Sequence, residues 1–189
     1  WVTSVSFNPV NGTIASTSSD GTLNLWSAEG VKMKTWEGHV DGALDVSFSP
    51  NGKIIASAGD DGKVKLWHLN GELLQIPLDH GDTVYSVNFS PNGKTLASAT
   101  KDKVNIWNLD GRLLQTLPID TNLSLKVNFS PDSKTVAFAG IPSTGFDEKV
   151  TLWNLDLDDL LGHSCDWLRD YLTSNPDLSD CHLCNNIGN

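Results

Sequence analysis

Serine, histidine and aspartate are the residue types of a hydrolytic nucleophile, its base and the carboxylate that orients the base. They recur together along this chain of 189 residues. His39, Ser57 and Asp61 precede Trp67, and His80, Ser98 and Asp102 precede Trp107. Ser16, Asp20 and Trp26 repeat the pattern with no histidine ahead of them. A single active site has no reason to be written more than once, so the recurrence argues for structure over catalysis. A buried Asp needs donors, and an imidazole and an indole N–H need acceptors, so such a set can satisfy itself without a substrate. The other reactive concentration is His163 and Cys165, followed by Cys181-His182-Leu183-Cys184. Cys and His at short spacing are zinc-ligand types. Only one Cys-x-x-Cys pair is present, and His163 and Cys165, two apart on a helix, would point about 200° from each other. Helix packing, with Cys165 as a small apolar residue, is the simpler reading. There is no Gly-rich phosphate loop, no nucleophile motif and no basic aromatic stripe.

The elements that must position these residues are visible from Gly38 to Trp67, which reads GHVDGALDVSFSPNGKIIASAGDDGKVKLW. Three alternating apolar runs are cut by Asn-Gly and Asp-Gly turns, the pattern of antiparallel hairpins. The stretch recurs with wear. Phe-x-Pro stands at Phe7, Phe48, Phe89 and Phe129, and the closing tryptophan at Trp26, Trp67, Trp107 and Trp153. The first series is spaced by 41, 41 and 40 residues. A fourth, outer strand is expected at Met33 to Trp36, Leu73 to Ile76 and Leu113 to Leu117. After Asn154 the period changes: Leu157, Leu160, Leu161, Cys165, Leu168 and Leu172 form a helical stripe, with Asp156 as N-cap and Asn175-Pro176 as its stop.

Self-similarity at this period, opening on Gly-His and closing on Trp, resembles the WD-repeat (tryptophan–aspartate repeat) family. The resemblance covers residues 1 to about 155. The Asp expected after each Trp is replaced by Ser27, His68, Asn108 and Asn154. The resemblance implies an all-β fold, a β-propeller segment of four blades with the last incomplete, carried by residues 1–155. Residues 156–189 then form a short helical cap, similar to the C-terminal segment of cyanobacterial-type multi-repeat propeller proteins. It also implies a buried tetrad in each blade: His39, Ser57, Asp61 and Trp67 in the second, His80, Ser98, Asp102 and Trp107 in the third, and Ser16, Asp20 and Trp26 in the first. In the fourth, Asp120 stands at the histidine position and Phe138 at the serine position, leaving Trp153 and Asp147 after an insertion from Ile141 to Asp147. The family's narrow rim maps to Trp1, Thr3, Leu44, Asp60, Tyr85, Lys101 and Leu125, which differ between copies while the framework does not.

Net charge is −10 and the pI is near 4.7, which argues against nucleic acid or an anionic membrane as partner. No apolar run approaches the roughly 20 residues of a membrane span. Three cysteines, all after residue 160, make no disulfide framework and point to a cytoplasmic setting. The start at Trp1, with Met33 the only methionine, reads as the back end of something longer. The expected function is a non-catalytic protein-interaction scaffold or sensor segment of a larger bacterial signalling protein, with protein partners and no cofactor. The alternative is a metal-binding or hydrolytic protein using the tail Cys and His residues. Fifteen strands are countable and no source follows Asn154 for a sixteenth. An open arc is therefore expected, with Lys149 to Asn154 as an unpaired edge and the outward face of the first blade uncovered.

Overall fold

The computed structural model describes residues 1–119, 123–141 and 149–156. The expected tail helix, Asp120, Asp147 and the Cys and His residues of the tail lie outside the described residues. Trp1–Leu152 and Trp153–Asn189 form two compact units.

Four antiparallel sheets follow one another along the chain. The first is β1 (Val2–Phe7), β2 (Ile14–Ser18), β3 (Thr22–Trp26) and β4 (Lys32–Glu37). The second is β5 (Ala43–Phe48), β6 (Ile54–Gly59), β7 (Lys63–His68) and β8 (Leu78–Asp79). The third is β9 (Ser86–Phe89), β10 (Thr95–Ala99), β11 (Lys103–Asn108) and β12 (Leu113–Pro118). The fourth has three strands, β13 (Leu123–Phe129), β14 (Thr135–Ile141) and β15 (Lys149–Asn154). Within each sheet the strands lie in chain order, so every connection is a hairpin. No helix among the described residues is long and apolar enough to cross a membrane.

The turn residues do what their types allow. Gly21 adopts a φ of +84°, and a Cβ there would fall on the His39 carbonyl, so the Asp-Gly turn needs its glycine. Ser133 stands where the earlier copies carry Gly52 and Gly93, and keeps their left-handed backbone at φ 64°. Its hydroxyl accepts the Asn92 N–H of the preceding sheet at 3.0 Å, which offsets the strain.

One expected strand is displaced. Leu73 to Ile76 does not form the outer strand of the second sheet. Leu73 makes a lone bridge to Trp67, and the strand proper is only Leu78–Asp79. Pro77 has no N–H to give the ladder, so pairing resumes only beyond it.

The core lies between sheets, not within them. Ala15, Leu23 and Leu25 of the first sheet meet Val46, Phe48, Ile55 and Trp67 of the second. Ala56, Ala58, Val64 and Leu66 of the second meet Val87, Phe89, Leu96 and Trp107 of the third. First strands pack in order, β1 on β5, β5 on β9 and β9 on β13. Each first strand is a sheet edge whose outward N–H groups need acceptors. The preceding sheet supplies them. Ser6 Oγ accepts the Phe48 N–H at 3.2 Å, and Ser47 Oγ accepts the Phe89 N–H at 3.3 Å. Asp45 Oδ2 accepts the Val87 N–H at 3.0 Å, and Ser86 Oγ the Val127 N–H at 3.2 Å.

Among the described residues the first and last faces of this stack are more exposed than the internal ones. Phe48, Phe89 and Phe129 are buried, whereas the repeat-equivalent Phe7 is 67% exposed and Val5 59%. Val64, Val104, Leu66 and Ile106 are buried, whereas the equivalent Val150 and Leu152 are each 67% exposed. The uncovered outward face of the first blade is as expected.

A core set between sheets makes a direct prediction. Phe89→Ala removes a ring shared by two blades and should cost about 3–5 kcal/mol in urea unfolding. Met33→Ala, on an exposed outer strand, should change stability by less than about 0.5 kcal/mol.

Candidate functional site

In the second blade β5 begins just after His39, β6 carries Ser57, the following turn carries Asp61 and β7 ends near Trp67. The His39 ring lies 2.7 Å from Asp61 Oδ1 through Nδ1 and 2.7 Å from Ser57 Oγ through Nε2. The Trp67 indole N–H donates to Ser57 Oγ at 2.8 Å. Asp61 ionised can only accept, so Nδ1 carries the proton and Nε2 accepts the Ser57 hydroxyl. Burial pushes the His39 imidazole below its ordinary range, against the pull of Asp61. Burial raises the Asp61 carboxyl, but hydrogen bonds from His39 and Lys65 outweigh it and leave the group below the usual range.

These distances are those of a Ser–His–Asp nucleophilic set. The arrangement cannot use them that way. Ser57 is fully buried, out of reach of any substrate, and its oxygen already accepts an indole N–H with one of its two lone pairs. Gly59 has no room for a Cβ because the His39 ring occupies that space.

The third blade departs from the expected tetrad. His80 Nε2 meets Ser98 Oγ at 2.7 Å, and the Trp107 N–H donates to Ser98 at 2.8 Å. His80 Nδ1, however, donates to the Leu78 carbonyl at 3.1 Å. Asp102 is no partner of His80: it accepts the Thr100 hydroxyl at 2.7 Å. The cause is in the turn. Thr100 replaces Gly59 and captures the carboxylate, and the glycine that follows Asp61 has no counterpart after Asp102. Burial, above all, pushes the His80 imidazole down to about 4.

In the first blade Trp26 donates to Ser16 Oγ at 2.9 Å. Asp20 turns to solvent, where the Thr22 hydroxyl and N–H hold its carboxyl down at about 2. In the fourth blade the serine position is Phe138, and the buried Trp153 indole nitrogen has no partner among the described residues. In the second blade Trp67 donates to Ser57, and Asp61 serves His39.

The rim residues share a backbone cause. Register against the second strand slips at Thr3, Leu44 and Leu125, each the extra residue of a bulge. Tyr85 precedes β9, its N–H donating to the Ala99 carbonyl at 2.9 Å. A bulge re-aims the side chain it carries. Leu44 and Tyr85 are half-buried, and Trp1, Asp60 and Lys101 exposed. Thr3 is tied down, its hydroxyl donating to the Ala43 carbonyl at 2.6 Å. Lys101 pairs with Asp82 at 2.8 Å.

Two polar residues were not singled out from the sequence. Lys65 reaches Asp61 at 3.0 Å. Asp45, buried, gathers the Ser4 hydroxyl at 2.6 Å, the Ser86 hydroxyl at 2.8 Å and Lys126 Nζ at 2.6 Å. The signal was available: Ser4, Asp45, Ser86 and Lys126 fall at one repeat position. No group of three or more potential metal ligands occurs among the described residues.

A family model described as WD domain, G-beta repeat, matches residues 1–27, 30–68 and 71–108. The chain belongs to the WD-repeat family. The matched residues stop short of β13, and the fourth blade is the one that has lost both histidine and serine of its tetrad. Comparison with curated proteins finds no match.

Two predictions rest on the WD-repeat tetrads. Asp61→Ala strands the His39 N–H and should cost about 1–3 kcal/mol, whereas Asp102→Ala, which touches no histidine, should cost less than about 0.5 kcal/mol. Urea unfolding of both variants measures the contrast. The second concerns pH. His80 falls from 6.5 to about 4 on folding, so between those values the unfolded chain binds the extra proton. Stability from this residue is complete above 6.5 and declines as pH drops towards 4, by about 3 kcal/mol in all. Urea midpoints across that range should fall less steeply in His80→Gln than in the wild type.

Proposed function

We propose that this WD-repeat chain is a non-catalytic protein-interaction scaffold or sensor segment of a larger bacterial signalling protein of the cyanobacterial multi-repeat type, working in the cytoplasm. WD repeats generally mediate protein–protein contacts. The observation that carries the reading is the division of labour among polar residues. The groups that could do chemistry satisfy one another inside the blades, as in His39, Ser57 and Trp67. The residues that differ between copies sit at first-strand bulges or beside the adjoining turns. Leu44 and Tyr85 give the rim apolar and aromatic area, and Asp60 and Lys101 flank it with charge. Aromatic anchors with a charged surround suit a protein surface.

Photo-crosslinking residues placed at Leu44, at Tyr85 and at Met33 of the outer strand test this in cells. Discrete protein adducts should form from 44 and 85 and not from 33. Adducts of equal yield from all three positions, or from none, would count against the rim.

A further inference from the structure

We infer, resting on the rim as the contact surface proposed above, that its partner is a cationic protein segment whose lysine or arginine is held by carboxylates beside Leu44 and Tyr85. Charge divides between the two ends of the blades. In a sheet whose strands run antiparallel in chain order, alternate connections lie at opposite ends. In the second and third blades, each with a sheet on both sides, the rim-end connections span 38–42, 60–62, 80–85 and 100–102. They hold Asp41, Asp60, Asp61, Asp82 and Asp102 against Lys101 alone. The connections at the opposite end span 49–53, 69–77, 90–94 and 109–112. They hold Lys53, Lys94 and Arg112 against Glu72 and Asp110. Adding the strand-end residues Lys63, Asp79 and Lys103 still leaves the rim end negative. In these two blades the acidity is therefore concentrated at the end that carries the rim, and a potential of one sign selects a partner of the other.

Two of these carboxylates are already taken, Asp61 by Lys65 and Asp82 by Lys101. Asp41 and Asp60 are exposed, and neither forms an ion pair among the described residues. They belong to adjoining backbone. The Asp60 N–H donates to the Gly42 carbonyl at 2.8 Å, and a Cβ on Gly42 would come 2.6 Å from Asp60 Oδ2. The Val84 N–H donates to the Gly59 carbonyl at 3.1 Å, which brings the segment carrying Tyr85 to the same strand end. Leu44 follows Gly42 by two residues. Two unpaired carboxylates thus border a half-buried leucine and tyrosine. A lysine or arginine side chain suits both parts: its methylene stem covers apolar area, and its charged head reaches a carboxylate or the tyrosine ring. Residues 157–189 of this chain are not the complement, since Arg169 is their only lysine or arginine against six aspartates.

Panning phage-displayed random peptides on the full chain, with the recovered peptides synthesised and their affinities measured by fluorescence anisotropy, tests this. Recovered peptides should carry lysine or arginine beside an apolar residue. Their affinity should fall about fivefold or more in the double variant Asp41→Asn, Asp60→Asn, which alters exposed side chains only. It should be unchanged in Glu72→Gln, Asp110→Asn, which removes the same charge from the opposite end. Equal losses in the two double variants would mean attraction to the overall charge of the chain, and would overturn the inference. Neutral or acidic peptides whose binding is lost in Tyr85→Ala would also overturn it, while leaving the rim as the contact surface. Panning that recovers no peptide, or only peptides indifferent to Tyr85→Ala, would count against the rim and the cationic partner together.

Discussion

The exposed edge of each first strand is the constraint on which this structure depends. A strand at the edge of a sheet has N–H groups with nothing in its own sheet to receive them. Here the preceding blade closes that deficit, and does so at fixed repeat positions. Ser6 serves Phe48, Ser47 serves Phe89, Asp45 serves Val87 and Ser86 serves Val127. The donors and acceptors are about one repeat apart, so the period of the sequence is also the spacing of the bonds that join blades. Val46 and Phe48 are buried because the edge beside them is capped and water is excluded. A net worth of about 1 kcal/mol for each such bond understates its role, since an uncapped N–H buried in the same place carries the full desolvation penalty.

Ser, His and Asp at 2.7 Å spacing are likewise taken up by one another and by Trp67 here. A nucleophile must keep a lone pair and a path to solvent. Ser57 is fully buried and so lacks the path, and Trp67 already takes one of its two lone pairs. The same three side chains make a polar core when an indole closes the chain of hydrogen bonds. The third blade keeps Ser, His and Trp but drops Asp102, and the backbone carbonyl of Leu78 takes its place. The imidazole thus needs an acceptor at Nδ1, and a carboxylate is one of two groups that serve. The carboxylate-bound His39 has Asp61 opposing the effect of burial, whereas His80 feels burial with only a carbonyl to oppose it.

Much of this was legible in the sequence, for a physical reason. Strand alternation and turn residues are local, and four copies make each local signal a repeated measurement. The positions of Ser57 and Ser98 beside histidine and tryptophan came from the family resemblance, laid onto the repeats by position. What was not legible depended on single-residue departures. Thr100 in place of a glycine diverts Asp102, and Pro77 moves an outer strand to Leu78–Asp79. Asp45 escaped notice because a charged residue in a half-buried strand looks solvated until the neighbouring blades are in place. Its partners Ser4, Ser86 and Lys126 lie in three other sheets. No window of the sequence the length of one blade contains them.

The fourth blade is where these arguments converge. It has lost the serine that receives its tryptophan, and the buried Trp153 indole nitrogen has no acceptor among the described residues, a deficit of the order of 1–3 kcal/mol. What holds its first strand is borrowed from its neighbours: Ser86 caps the Val127 N–H, and Lys126 reaches back to Asp45 two blades away. In a stack where each unit mainly touches the next, stability is a sum of unit and junction terms. A unit with a weak interior then depends on its junctions. The second blade has an intact tetrad and neighbours on both sides, whereas the fourth has an incomplete tetrad and, among the described residues, Val150 and Leu152 exposed. Opening should therefore begin at the fourth blade and stop at the second, where the interior and both junctions are whole.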